Sequence, residues 1–271
     1  MPFTLSHPAA IIPAARMLPA SALVIGSMTP DTPFYLPVSL VMRSHRWWAI
    51  GTMDVALAAV IWAVWWLLLV PPALDILPDA ARCRLPARFA PFRWLRSARG
   101  VVGLYVAFAL GAATHVGWDQ FTHGREWGPR HIAFLNTVIG PEPLWEWLQI
   151  IGSVVGLAVI AWWLARWWRT TAPRPSVVAS GQIAAGGRLA AGGEIEVSGR
   201  YPRYLWAVPV ILGAGVIGGV VGIVRGAAWG STIFVGLTRG GMAAAGVLLI
   251  LALAWHVARW RERRAAARVP R

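Results

Sequence analysis

Five apolar stretches, each long enough to cross a bilayer as a helix, restrict this 271-residue chain to one class of fold. A helix needs about 20 consecutive apolar residues to cross the hydrocarbon core of a membrane. Such stretches lie at residues 50–70, 101–119, 147–166, 205–224 and 231–258. The composition agrees, with 57% hydrophobic residues, 13% charged residues and a mean hydropathy of +0.57. We therefore predict an all-α, polytopic membrane protein with five transmembrane helices.

The first 27 residues contain a further apolar run, which Pro13, Arg16 and Pro19 interrupt. Proline in a helix interior removes a backbone hydrogen bond and kinks the chain. We interpret this run as an N-terminal interfacial or re-entrant helical segment, and a sixth span is the alternative.

The positive charge of the chain is carried by arginine alone and gathers between the apolar stretches. The formal net charge is +14, and arginines cluster at 82–99, 166–203 and 259–271. By contrast, residues 120–146 hold two arginines against three glutamates. Because cytoplasmic loops of membrane proteins are rich in Lys and Arg, we expect the three clusters and the C-terminus in the cytoplasm, with residues 120–146 outside. Arginines that flank apolar spans favour the lipid bilayer as the partner and argue against nucleic acid.

Composition divides the chain into three parts. We expect residues 1–170 to form a membrane domain that carries the chemically active residues, and residues 205–271 to form two C-terminal transmembrane helices with a basic tail. Residues 171–204 are rich in Gly and Pro, which predicts a flexible cytoplasmic linker in preference to a small hairpin. In the C-terminal part, Gly218 and Gly222 have the spacing of closely packed helices.

Ionisable residues recur at helical spacing at the end of the second apolar stretch. His115, Asp119 and His123 are four residues apart and share one face of a helix. Such groups are costly in a membrane and mark functional sites, and imidazole with carboxylate suits zinc, or less specifically iron or manganese. We predict that His115 and Asp119 bind a divalent metal, first of all zinc, with Gln120 and Thr122 as hydrogen-bond partners of the ligands. In the alternative, His115 donates to a carbonyl on a neighbouring helix and Asp119 faces water.

The predicted topology places three further candidate ligands on the same side of the membrane, because His7, Asp31 and His45 all precede the first span. Each has a simpler alternative role: His7 in a helix-cap region, Asp31 in a turn beside proline, and His45 at the lipid headgroups. Arg43 and Arg46 flank His45 and are predicted to bind an anionic substrate.

Metal-activated water is the catalytic mechanism for which the sequence supplies parts, since it has no GxSxG motif and no phosphate-binding glycine loop. Asp31 or Asp119 would orient or deprotonate that water. We therefore expect a metal-dependent hydrolase at the extracytoplasmic face, acting on a phosphoester or lipid-derived substrate. One alternative is a non-enzymatic scaffold or partner-binding protein whose buried polar network fixes helix register. Another is a small transporter with Asp54 and Arg239 on its pathway, although an ion pair of Asp54 with Arg239 or Arg225 is the simpler interpretation.

The chain resembles the bacterial membrane family called domain of unknown function 4184 in three stretches: MPFTLSHPAAIIPAARMLPASALVIGSMTPD, GAATHVGWDQFTH and WLQIIGSVVGLAVIAWWLARWWR. The resemblance covers roughly the first 170 residues and implies a multi-pass protein of the bacterial inner membrane, without naming a reaction. More distantly, the order of a histidine, a proline-aspartate turn, a second histidine and an HxxxD helix looks like metal-dependent hydrolases of bacterial inner membranes. It is also faintly similar to zinc-dependent phospholipase C. This second resemblance implies one or two metals with His7, Asp31, His45, His115 and Asp119 as ligands.

Overall fold

A computed structural model describes residues 3–35, 44–174, 188–189, 195–196, 205–225 and 229–266, and this part of the chain is almost entirely helical. The α-helices are α1 (Ala20–Met28), α2 (Trp47–Ile50), α3 (Met53–Val64), α4 (Val70–Ile76), α5 (Asp79–Arg82), α6 (Ala98–Thr122), α7 (Trp127–His131), α8 (Leu144–Thr170), α9 (Ala207–Arg225) and α10 (Trp229–Ala266). Short 3-10 helices cover Thr4–Arg16, Thr29–Tyr35, Pro91–Arg96 and Ala133–Asn136, and a π-helical turn covers Trp65–Leu69. The strands are β1 (Arg88–Phe89), β2 (Val138–Ile139), β3 (Glu142–Pro143), β4 (Arg188–Leu189) and β5 (Ile195–Glu196).

Five helical stretches of the described chain are long and apolar enough to cross a membrane, which confirms the predicted number of spans. They are Trp47–Ile76, Ala98–His131, Leu144–Thr170, Ala207–Val224 and Val235–Ala265. The second is the most buried, with 44% of its apolar window inside the protein against 6–22% for the others. The helix that carries His115 and Asp119 is thus the best enclosed of the five.

The N-terminal segment is helical, as predicted, and its described helices are short. Its longest α-helix, α1, has nine residues, far short of the roughly 20 that a bilayer crossing requires. The segment before it is a 3-10 helix that contains Pro8 and Pro13. The segment therefore packs as short pieces against the longer helices.

By its packing, the described chain forms two compact units. The first comprises Met1–Trp62 with Trp94–Thr170, and the second comprises Ala63–Arg93 with Thr171–Arg271. These units group residues by their packing, whereas the three parts expected from the sequence follow its composition. The three-part division therefore stays a prediction.

In the first unit, two glycines let the backbones of α1 and α6 touch. A Cβ added at Gly26 would run into the backbone of Phe108, and one added at Gly111 would run into the backbone of Leu23 and Ser27. Since only glycine permits so close an approach, this contact holds the second half of α1 against the middle of α6, one to two turns before His115.

The N-terminal 3-10 helix of this unit lies against α8. The backbone N–H of Phe3 donates to Ser153 Oγ at 2.9 Å, and a Cβ on Gly156 would lie 2.7 Å from the carbonyl oxygen of Ser6. The residues before α1 are thereby fixed beside the same helices as α1 itself.

In the second unit, α10 repairs a gap in the hydrogen bonding of the first span. The carbonyl of Leu68 would normally accept from the residue four positions on, but that residue is Pro72, which has no N–H. His256 on α10 lies with Nε2 3.1 Å from this carbonyl oxygen and supplies a donor. The preceding Trp255 donates its indole N–H to Asp75 Oδ2 at 2.8 Å. Two consecutive residues of α10 thus form hydrogen bonds with the first span on either side of Pro72.

The described strands of residues 171–204 form a hairpin. Strand β5 pairs antiparallel with both β4 and β1, and Ile195 is fully buried in a cluster with Val70 and Leu74. The hairpin alternative therefore describes residues 188–189 and 195–196, while the other residues between 175 and 204 lie outside the described chain.

Helices α9 and α10 pack closely through glycines, as their spacing predicts. A Cβ on Gly218 would lie 2.6 Å from Ala243 Cβ, and one on Gly222 would lie 2.9 Å from Arg239 Cβ. Arg239 belongs to the second unit and Asp54 to the first, so their pairing stays a prediction.

Candidate metal centre

Four ionisable side chains from three separate segments of the first unit converge on one point. Asp31 comes from the 3-10 helix after α1, His45 from the residues just before α2, and His115 and Asp119 from one face of α6. Each offers a ligand atom, and all four atoms lie within 4.8 Å of one another. The helical spacing predicted from the sequence therefore supplies half of the cluster.

The four nitrogen–oxygen distances in the cluster match those between ligands of a tetrahedral metal. His45 Nε2 lies 3.3 Å from Asp31 Oδ1 and 3.3 Å from Asp119 Oδ2. His115 Nε2 lies 3.4 Å from Asp31 Oδ1 and 3.3 Å from Asp119 Oδ2. Bonds of about 2.0–2.1 Å to a tetrahedral zinc place neighbouring ligand atoms about 3.3–3.4 Å apart. The alternating nitrogen and oxygen atoms thus have the spacing that a small divalent cation between them would require.

The same distances are too long for a network of imidazole and carboxylate hydrogen bonds. Charge-assisted N–H···O bonds are about 2.7–2.9 Å long, and each contact here is longer by about 0.4 Å or more. The Nε2 atoms of His45 and His115 and the inward oxygen of Asp31 are buried without a hydrogen-bond partner in the described chain. Buried polar atoms without partners cost free energy, and a bound cation would satisfy all of them together.

A backbone carbonyl fixes the tautomer of His115. Its Nδ1 lies 2.7 Å from the carbonyl oxygen of Ser27 at the end of α1. Because a carbonyl only accepts, Nδ1 must carry the proton, which leaves the lone pair of Nε2 directed at the cluster. The hydrogen bond expected in the alternative role of His115 is therefore present, and it favours metal binding by the other ring nitrogen.

A buried hydroxyl does the same for His45. Ser44 is 3% exposed, and its hydroxyl donates to the carbonyl oxygen of Pro30 at 2.8 Å. Its single proton is thereby used, so the Ser44 oxygen accepts from His45 Nδ1, 3.2 Å away. Both imidazoles consequently present an unprotonated Nε2 to the centre when they are neutral.

The two carboxylates differ in how their second oxygens are held. Asp31 Oδ2 accepts a 2.6 Å hydrogen bond from the Thr4 hydroxyl, and this hydroxyl in turn accepts from Tyr35, 3.0 Å away. Both oxygens of Asp119 lack a hydrogen-bond partner among the described residues. Once Oδ2 of Asp119 has been assigned to a metal, its Oδ1 still has no hydrogen bond, and the nearby imidazole of His123 lies with Nδ1 3.7 Å away.

The cluster is closed to solvent except at one ligand. His115, Asp31 and Asp119 have side chains that are 0%, 1% and 2% exposed, whereas that of His45 is 24% exposed. Among the described residues, His45 is therefore the cluster member nearest to solvent.

Asp31 and His45 are the two cluster residues outside the membrane spans, and each influences the pKa of the other. Burial opposes ionisation of Asp31, but the neighbouring imidazoles of His115 and His45 outweigh it and hold the pKa of its carboxyl well below the usual range. Burial would lower the pKa of His45, but Asp119 and Asp31 outweigh it and raise this pKa to about 9. A cation must therefore displace a proton from His45 at neutral pH.

His7 and His123 adjoin the cluster without joining the set of mutually close ligand atoms. The ring of His7 stacks on His115, with centroids 3.7 Å apart, and burial followed by the charge of His115 lowers the pKa of His7 to about 4. The Nδ1 atom of His123 lies 3.1 Å from the backbone oxygen of Asp119, near the end of α6. A ligand role for His7 stays a prediction.

The remaining predicted site residues lie around the cluster or outside the described chain. Arg46 is exposed beside His45, and Arg43 lies outside the described residues. Gln120 donates to Glu126 at 3.3 Å, and Thr122 donates to a backbone oxygen of its own helix. The prediction that Gln120 and Thr122 support the ligands is therefore wrong.

The residues that do support the ligands are not among those predicted from the sequence: Thr4, Ser27 and Ser44. For Ser27 the supporting atom is a backbone oxygen, which leaves no signal in the sequence. Ser44 could have been noticed, since a hydroxyl next to a candidate ligand is a common partner of its second nitrogen.

Together these features define a polytopic helical membrane protein with a buried His/Asp cluster between its N-terminal segment and its second span. The chain belongs to the family described as Domain of unknown function (DUF4184), whose model matches residues 1–250. The match reaches well beyond the first 170 residues, in which the resemblance lies. Searches of curated proteins and of solved structures found no match, so the resemblance to membrane hydrolases stays a prediction.

Proposed function

We propose that this protein is a metal-dependent hydrolase of the bacterial inner membrane, with its site at the extracytoplasmic face and a phosphoester or lipid-derived substrate. The observation that carries the proposal is the alternating set of two imidazole nitrogens and two carboxylate oxygens 3.3–3.4 Å apart. The hydrogen bonds that fix both imidazole tautomers support it.

The ligand set favours zinc and leaves manganese and iron as candidates, because imidazole and carboxylate suit all three. Two carboxylates balance the charge of one divalent cation inside an apolar protein. Four protein ligands fill a tetrahedron, so catalysis requires a fifth position, which zinc accepts in its reactions and the other two metals accept readily. The exposed side of His45 is where such a position would open.

A water at that position would become acidic enough to supply hydroxide near neutral pH. Of the two proposed catalytic carboxylates, Asp119 has an oxygen without a hydrogen-bond partner to orient this water, whereas the second oxygen of Asp31 is held by Thr4. Arg46, exposed beside His45, would bind an anionic group of the substrate, and we propose the same role for Arg43 from its position in the sequence.

The entrance to the site lies next to the start of a membrane span. The first span begins at Trp47, two residues after the one exposed ligand, and Trp47 and Trp48 are 62% and 57% exposed. Tryptophan rings favour the boundary between lipid and water. This location supports a substrate that is itself a lipid or is linked to one.

Metal analysis of the protein purified in detergent tests the proposal. After incubation with zinc and removal of excess metal, the wild type should retain one zinc per chain by mass spectrometry. His115→Ala and Asp119→Ala should lose it. His131→Ala is the matched control, since His131 is exposed and stacks on Trp127 away from the cluster.

Hydrolysis is measured with bis(p-nitrophenyl) phosphate and with vesicles that contain phosphatidic acid and phosphatidylcholine. Activity should disappear on chelation and return with zinc or manganese. A wild type without stoichiometric metal would overturn the proposal. Retained metal without hydrolysis of either probe would instead establish a structural metal, and alanine variants that lower the folding yield equally with and without chelator would establish a structural polar network.

A further inference from the structure

Asp54 is a further buried carboxylate of the first unit. Unlike Asp31 and Asp119, it does not belong to the set of four mutually close ligands. It is 1% exposed, and neither of its oxygens has a hydrogen-bond partner in the described chain. Burying an ionised carboxylate without a partner costs several kcal/mol. Such a residue requires an explanation.

The packing of α3 directs Asp54 at the helices that build the cluster. Asp54, Ala58 and Trp62 are the buried residues of α3, and their spacing of four places them on one face. The indole of Trp62 donates to Ser21 of α1 at 3.0 Å and lies edge-on to Phe108 of α6, with centroids 6.4 Å apart. The face that carries Asp54 is thus the face packed on α1 and α6.

The charges that act on Asp54 are those of the cluster. Its carboxylate interacts electrostatically with His45 and His115, although it does not join the four mutually close ligand atoms. Asp54 therefore lies within electrostatic reach of the cluster without being one of its four ligands. Asp31 and Asp119 already neutralise a divalent cation, so ionised Asp54 leaves the site with one negative charge in excess, and a proton on Asp54 removes it.

We propose that Asp54 is the proton acceptor for a water bound at the metal centre, an inference that rests on the proposed hydrolase function. One O–H bond of the water breaks, its proton forms an O–H bond with the Asp54 carboxylate, and hydroxide stays at the centre, so the total charge does not change. The hydroxide then attacks phosphorus, the ester P–O bond breaks, and the Asp54 proton passes to the leaving oxygen. Asp54 returns to the carboxylate form.

The test compares Asp54→Asn with the wild type and with Asp79→Asn, whose carboxylate is 68% exposed. All three should bind zinc equally. The infrared difference between zinc-loaded and zinc-free protein at pH 8 should show the carbonyl band of a newly protonated carboxyl group in the wild type and in Asp79→Asn, and Asp54→Asn should lack it. Hydrolysis of bis(p-nitrophenyl) phosphate should fall by about 10²- to 10⁴-fold in Asp54→Asn alone, the range of general base catalysis.

The outcomes separate this inference from the proposed function. Zinc binding with an unchanged infrared band or unchanged hydrolysis in Asp54→Asn would overturn the inference and leave the hydrolase standing. Loss of zinc in Asp54→Asn would also overturn it, by making Asp54 a ligand or a structural residue. A wild type that binds no zinc would overturn both. If Asp54→Asn does not fold, Asp54→Glu takes its place. This variant should retain zinc, show the carboxyl band at a shifted frequency and hydrolyse the substrate more slowly. Absence of the band would refute the inference.

Discussion

Replacing Ser44 with alanine should weaken metal binding without touching a ligand. The Ser44 hydroxyl donates to Pro30 at 2.8 Å and accepts from His45 at 3.2 Å. In Ser44→Ala, His45 Nδ1 loses the acceptor that keeps its proton on that nitrogen. The imidazole can then take the tautomer that directs a proton, not a lone pair, at the metal.

The size of the effect follows from these two hydrogen bonds. Loss of a partner that orients a metal-bound histidine lowers affinity about 10- to 100-fold, or about 1.4–2.8 kcal/mol of binding free energy. The hydrogen bond to Pro30 contributes about 1 kcal/mol to folding. The substitution should therefore lower the free energy of unfolding of the metal-free protein by less than it weakens the free energy of zinc binding.

Competition with a chromophoric chelator in detergent measures the zinc affinity, and thermal unfolding of the metal-free protein measures the stability. Thr114→Val is the matched control, because the Thr114 hydroxyl donates within its own helix, to Gly111 at 2.7 Å. An affinity of Ser44→Ala equal to that of Thr114→Val would refute the assignment of the His45 tautomer.

Three further predictions concern the helix contact, the second carboxylate oxygen and the competition with protons. Gly111→Ala should lower stability by about 1–3 kcal/mol, because its Cβ enters the α1 backbone, whereas Gly117→Ala, with nothing within 4 Å of its Cβ, should not; equal melting temperatures would contradict this. Thr4→Val removes the hydrogen bond to Asp31 and should lower zinc affinity at least about tenfold, and a titration equal to wild type would count against it. Although burial opposes it, the cluster carboxylates raise the pKa of His45 to about 9, so this ring is protonated below pH 9 and zinc must displace the proton. Zinc affinity should then rise at least about tenfold per pH unit from pH 7 to 9 with calorimetric proton release, and a flat affinity would refute the competition.

The sequence predicts those parts of the molecule that depend on local periodicity. Hydropathy defines the five spans because a bilayer sets the length of an apolar helix. The spacing of His115 and Asp119 defines half of the cluster because a helix places residues four apart on one face. Both predictions need no knowledge of how distant segments meet.

The remaining half of the cluster depends on a contact that the sequence does not display. Gly26 and Gly111 bring α1 against α6, and this approach carries Asp31 to the ligands of α6. The sequence offered His7 and His45 as candidates on the same side of the membrane, yet could not tell which would point its nitrogen at the centre. In the structure His45 does so, while His7 lies flat on His115.

The contact between His256 and the carbonyl of Leu68 has a consequence for biogenesis. A ribosome delivers the first span to the membrane long before it has made the last one. During that interval the carbonyl left without its usual donor by Pro72 must be served by water or by the insertion machinery, because lipid offers no hydrogen-bond donor. The first span therefore enters the membrane before this carbonyl has its donor within the chain. Synthesis of the C-terminal helix supplies that donor and replaces the water or the insertion machinery.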